Sequence, residues 1–243
     1  MNMSLALQAA AATLFLVTTA CFALDFQDGL NGSGRVVSEP RSATGFDIVA
    51  VEDEFDVTVT VGPAYAIEVT GDDNLLPFVK TQVRNRTLHI ETARDLDPTE
   101  GIRVHVTTPS LRGLSSSGSS NVRASGIRAT AFDTSVSGSS DLVAAGDFGD
   151  LDSSVSGSGS IRLQGTADDI EASVSGSGEL DLAQVVGRSA QVKVSGSGDV
   201  VVQVSEALDA SVSGSGDVRY VGQPQVESSV SGSGSVRPAS SRS

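Results

Sequence analysis

The chain has two histidines, His89 and His105, and one cysteine, Cys21, beside 30 carboxylates and a large stock of serine. A serine nucleophile needs a base within hydrogen-bond reach, and histidine is the usual one. Both histidines precede Leu114, whereas the serines concentrate after it, in a stretch with no histidine. The serines are therefore read as repeat composition. His89 and His105 fall on the polar parity of alternating strands and read as exposed strand residues. Two imidazoles without a positioned third group make a poor metal site, even where their strands pair. The neighbours Asp72-Asp73 and Asp168-Asp169 stand in turn contexts, where short acidic side chains bond the local backbone. A glycosidase-type pair is not expected there. The Gly-Ser-Gly motifs imitate a phosphate loop but lack both the following helix and the lysine. No catalytic, cofactor-binding or metal-binding residue is expected, and no cofactor. One acidic arrangement stands apart. Glu179, Asp199 and Asp217 hold the same place in three successive copies of a repeat. Stacked, they would repel unless screened or bridged by a cation such as calcium. Ser160 and Ser235 hold that place in neighbouring copies, and the Gly-Gly-x-Gly-x-Asp calcium repeat is absent, so solvated charges are the preferred reading.

The repeat decides the architecture. Val136-Ser-Gly-Ser-Ser-Asp-Leu142 recurs from Val155, Val174, Val194, Val212 and Val230, with a degenerate earlier copy at Ser116–Val122. The first glycines fall at 118, 138, 157, 176, 196, 214 and 232, so the period is 18 to 20 residues. A flexible Gly/Ser linker has no reason to keep apolar residues in phase, and here the phase is strict. Ser153, Val155, Gly157, Gly159, Ile161 and Leu163 share one parity; Ser154, Ser156, Ser158, Ser160, Arg162 and Gln164 share the other. Period two means extended chain with one buried face. Short extended coils stacked along one axis form a β-solenoid, in which equivalent residues make rows ~4.8 Å apart. Val136, Val155, Val174, Val194, Val212 and Val230 then form one buried row. Inward glycines mark sharp bends or close backbone approach. If the phase persists through them, Ser156, Ser175, Ser195 and Ser213 line one outer row, with Ser158, Ser177, Ser197 and Ser215 in a second beside it. These eight are the candidate contact surface.

Around the repeat, residues 1–23 carry no charged side chain and run apolar from Leu5 to Val17, as a signal peptide does. Cleavage after Ala23 removes Cys21, whereas cleavage after Ala20 leaves Cys21 first and makes it a candidate for lipidation. With a single cysteine no disulfide can form within the chain. Residues 24–34 read as a short linker. Residues 35–113 are strand-rich without the repeat and read as the thicker end that caps the solenoid, with a separate small sandwich as the alternative. Residues 114–237 are the repeat solenoid, and 238–243 a polar tail. Apolar residues make up 39% and aromatics 4% with no tryptophan, which suits thin aliphatic layers. A net charge of −14 argues against nucleic acid or an anionic lipid surface as partner.

Gly32-Ser-Gly34, Gly45-Phe46-Asp47-Ile48, Asp72-Asp73-Asn74-Leu75-Leu76, Leu88-His89-Ile90 and the Ser-Gly-Ser-Gly series, in this order, resemble the auto-transporter adhesin head domain, or GIN domain. The resemblance spans about Gly32 to Arg237. It implies an all-β, single-stranded, right-handed parallel β-helix, exported by bacteria, with an adhesive or binding role. It supplies no established ligand and no catalytic residues. The family label implies a membrane β-barrel, and nothing after Val236 has the pattern of one, so self-transport is not expected.

The expected function is therefore that of an exported, non-enzymatic adhesion or binding module of the periplasm, cell envelope or exterior, acting through its outer surface on an envelope partner, with a glycan as one candidate. The alternatives are a structural protein that self-assembles as a homo-oligomer and a polysaccharide-acting β-helix enzyme. Against the enzyme, the repeats carry no aromatic-lined groove. The mature chain should have no transmembrane span and should lack at least residues 1–20. Mass spectrometry of the native protein should find either Leu24 or a lipid-modified Cys21 as its first residue; an intact Met1 in the cytoplasm would refute both.

Overall fold

The computed structural model describes residues 29–239, so the expected leader, Cys21 and residues 240–243 lie outside the described residues. Among the described residues there is no α-helix, only the 3-10 turn Leu76–Phe78. From Gly113 to Pro238 the chain makes about seven solenoid turns. Each turn has two strands, as in Asp150–Gly157 and Ser160–Thr166, joined by a corner at Ser158-Gly159. A second corner, at Ala167-Asp168, leads to the next turn. First strands stack on first strands in parallel, giving a front ladder; second strands stack likewise into a back ladder.

The register is residue on equivalent residue. Val136, Val155, Val174, Val194, Val212 and Val230 pair successively up the front ladder. The first five are buried, and so are Leu142, Ile161, Leu180, Val200 and Val218 on the back ladder. Each internal turn therefore buries several aliphatic side chains at ~1.5–3 kcal/mol apiece. One polar pair sits among them: the hydroxyls of Thr134 and Ser153 are 2.8 Å apart and satisfy each other. Val230, expected in the same buried row, is instead 43% exposed, because no further described strand covers the last turn.

The corner explains the paired glycines. Gly157, Gly176 and Gly196 have φ of 122°, 116° and 120°, in the region that only glycine adopts without strain. A Cβ at Gly176 would meet the Gly157 carbonyl oxygen at 2.6 Å, so each corner rests directly on the one below. The second glycine faces inward. At Gly178 a Cβ would strike Val155 Cγ1 at 2.4 Å.

Residues 36–108 join the same two ladders in an order different from the sequence. Ile48–Val51 lies between Thr87–Thr92 and Gly113–Gly118, all parallel. Asp56–Val61 lies between Arg103–Thr108 and Asn121–Arg128. The first coil in sequence is thus inserted beneath the repeats, with a later coil below it. Antiparallel strands close this end: Val79–Arg84 on Thr87–Thr92, Ala66–Asp72 on Arg103–Thr108, and Val36–Arg41 on Ala66–Asp72. The nearly buried Asp47 carboxylate fastens the inserted coil, binding Arg112 Nε at 2.8 Å and the Arg86 guanidinium. Those arginines belong to the coils on either side.

Asp72 fastens the entering chain. Its carboxylate accepts from the Gly34 amide at 2.7 Å and the Thr99 amide at 2.9 Å. The Thr99 amide, with the Gly34 amide and the Thr99 hydroxyl, holds the Asp72 carboxyl below the usual carboxylate range against the opposing effect of burial.

Val174 and Val230 occupy equivalent places and differ only in cover. Val174→Asp buries an unpaired carboxylate and should destabilise the fold by about 4 kcal/mol or more. Val230→Asp should change stability by less than about 0.5 kcal/mol. Thermal melts of the two variants check this; equal melting temperatures would remove the buried row.

Candidate binding face

All eight candidate serines are exposed. Ser156, Ser175, Ser195 and Ser213 pair in register on the outer face of the front ladder, with Ser137 below and Ser231 above. Ser158, Ser177, Ser197 and Ser215 sit on the adjacent corner. Their amides donate to the carbonyls of Gly138, Gly157, Gly176 and Gly196 of the preceding turn, at 2.8–2.9 Å. The corner backbone is thus tied down while the hydroxyls point to solvent. The period-two phase persists through the glycines: Ser158 is exposed while Gly159 and Ile161 are buried, so the second serine row stays outside as the chain turns at the positive φ of Gly157.

Two more rows lie on the same face. Ser135, Ser154, Ser173, Lys193, Ser211 and Ser229 are in register two residues earlier along the strand. Beyond them run Asp133, Asp152, Glu171, Gln191, Asp209 and Glu227. This acidic row escaped the reading of the sequence. Its signal was available: each member stands three places before the repeat valine.

The two ladders treat stacked carboxylates differently. On the back ladder Glu179, Asp199 and Asp217 do fall in one row. Arg219 binds Asp199 at 2.7 Å and Arg237 binds Asp217 at 2.7 Å, each arginine reaching down from the next turn. Ser235 donates to Asp217 at 2.8 Å, and this hydroxyl, first among the causes, holds the Asp217 carboxyl below its ordinary value. At Asp199 and Asp217 the repulsion is met by neighbouring side chains; among the described residues no ion pair reaches Glu179. Among the described residues no ion pair reaches Asp133, Asp152, Glu171, Asp209 or Glu227. Burial, then the charges of Glu171 and Asp133, push the Asp152 carboxyl up.

The other candidates are dispersed. His89 lies on the front ladder with Nδ1 3.3 Å from Glu52, whereas His105 lies on the back ladder beside Thr58 and Glu68, so the histidines do not meet. Asp169 binds Arg188 at 2.8 Å, a corner contact. A cleft of about 610 Å³ opens beside the inserted coil and is bordered by Asp53, Glu54, Asp56, Asp95 and Glu100. Two of these are already engaged: Asp53 by the Thr92 amide and hydroxyl at 2.8 and 2.9 Å, Asp56 by Asn121 at 3.0 Å. Among the described residues no cluster of three or more His, Cys, Asp or Glu side chains is arranged to hold a metal.

A raised carboxyl binds its proton more tightly in the folded state, so its charge costs stability as pH rises past the ordinary value of 3.8. Asp152→Asn should therefore raise stability at pH 7, by about 0.2–1 kcal/mol at low salt; the part owed to Glu171 and Asp133 should fade in 1 M salt while the part owed to burial persists, and the whole gain should fade below pH 3.8. Asp199→Asn, which removes the Arg219 pair, should act in the opposite direction by a similar small amount. Melts of both variants across pH and salt check the contrast.

A family model described as "Putative auto-transporter adhesin, head GIN domain" matches residues 45–224. No curated protein matches the chain. Solved structures show the same fold. A "putative adhesin" from Bacteroides fragilis superposes with a TM-score of 0.81 at 20% identity, covering 87% of this chain and 100% of that one. A "putative lipid binding protein" from Parabacteroides distasonis gives 0.71 at 23% identity, with the same coverage. A "putative adhesin" from the same organism gives 0.68 at 24% identity, again covering 87% and 100%. With its glycine-cornered turns and its inserted first coil matched along most of their length, the chain belongs to the auto-transporter adhesin head, or GIN domain, family.

Proposed function

We propose that this adhesin-like β-solenoid is exported to the cell envelope or beyond it and works there as a non-enzymatic binding module. The contact surface is the outer front face and its glycine corner. The observation that carries the reading is the pair of exposed serine rows repeated in register from turn to turn. A hydroxyl donates one hydrogen bond and accepts others, so a regular array of them suits a partner that is itself an array of hydroxyls. A glycan is such a partner. The acidic row beside the serines adds acceptors for sugar hydroxyls, and Lys193 interrupts an otherwise uncharged serine row.

Rigidity favours the same use. The front ladder is held by continuous parallel pairing, so the hydroxyls are positioned by the fold and little ordering is needed on contact. Individual contacts of this kind are weak. Repetition along the axis lets several act together on a repetitive surface.

The triple variant Ser175→Lys, Ser195→Lys, Ser213→Lys should remain folded, since all three positions face solvent, and should lose binding to envelope surfaces or to a glycan array by tenfold or more. Retained binding by the folded triple variant would place the contact elsewhere.

A further inference from the structure

The last turn is covered on one side only. Gln225–Gly232 pairs with residues 207–214, and Ser235–Pro238 with Asp217–Val221; among the described residues no strand pairs with their other edges. Along such an edge the N–H and C=O groups of every second residue have no partner but water. The interior is open as well. Val226 and Val230 are 40% and 43% exposed, whereas Leu208 and Val212 directly beneath are 1% exposed. Pro224 and Pro238 limit the edge at its two ends, yet residues 225–232 contain no proline and one charge, Glu227.

The sequence of this edge is complementary to itself. Each strand has one free edge, so two copies meeting through it are related by a two-fold axis and run antiparallel. Inward residues must meet inward residues, because the side-chain period is two. With Ser228 on the axis, Val226 falls opposite Val230 of the second copy, which closes both open interiors with apolar contact. Glu227 then falls opposite Ser229 of the second copy, and Gln225 opposite Ser231 of the second copy. No like charges oppose each other. The inward residues taper toward this end, from Leu208 to Val226 on the front ladder, and small side chains allow close approach.

We propose that residues 225–232 are a self-association edge through which two copies of the chain join end to end, antiparallel about Ser228. The dimer continues the front ladder across the junction and presents two copies of the serine face on one body. The inference rests on the open end and stands whether or not the serine face is the contact surface. The junction is small, about one strand pair with two valines from each copy, so its affinity is expected to be roughly micromolar or weaker.

Sedimentation velocity on the purified chain carrying Cys21→Ser, across micromolar to near-millimolar concentration, should show mass rising from monomer to dimer. Adding Val230→Lys should leave far-UV circular dichroism and melting unchanged and hold the chain monomeric. In the same background, Ser228→Cys should cross-link to itself on mild oxidation, whereas Ser229→Cys, which faces Glu227 of the second copy, should cross-link at least tenfold less. A chain monomeric over the whole range, a folded Val230→Lys variant that still dimerises, or equal cross-linking by the two cysteine variants would each overturn the proposal. If Val230→Lys fails to fold, the cysteine pair decides the matter.

Discussion

In-register parallel stacking governs this molecule, because it turns each choice of residue into a row. At the corner the stacking has almost no tolerance: each first glycine rests on the carbonyl of the glycine beneath, where a methyl group would already collide. Parallel hydrogen bonding sets the rise from turn to turn, and the absence of a side chain at the corner glycines lets the corners follow it. The valine row then becomes continuous core, while any polar or charged choice repeats every ~4.8 Å on the outside. A favourable row accumulates along the axis, and so does an unfavourable one.

The two faces show both consequences. On the back ladder, carboxylates alternate with arginines two places further on in the next turn, so Asp199 and Asp217 are each bridged from above. On the front face no ion pair reaches the acidic row among the described residues, and burial, followed by the charges of Glu171 and Asp133, raises the Asp152 carboxyl. A face that tolerates its own repulsion beside exposed hydroxyls costs stability, which natural surfaces usually give up at places used for contact.

The ends of the stack are also unequal. Near residues 36–108 the chain folds back on itself, so antiparallel strands cap the bottom coil and the Asp47 and Asp72 carboxylates fasten it from within. At residues 225–238 the turn is built like those below it, but its inner valines meet solvent. A change of chain direction and pairing with another strand are two ways to close the end of a solenoid. The first solution is visible at one end of this molecule.

Local periodicity and the repeat carried most of the fold in the sequence itself. The alternation around Val155 and Val174, the 18–20 residue period and the inward glycines all depend on neighbours within one turn and its copy, and such relations are written directly in the chain. The acidic row was written there too, three places before each valine, and is recognised once the copies are extended backward. Other features depend on which segments become neighbours in space. The insertion of residues 48–61 between two later coils follows from antiparallel strands whose partners are distant in sequence and whose alternation is the same in either direction. The embrace of Asp47 by Arg86 and Arg112 depends on that insertion. Val230 shares the motif of Val174 and differs in exposure because burial is conferred by the turn above, and its own turn has none among the described residues.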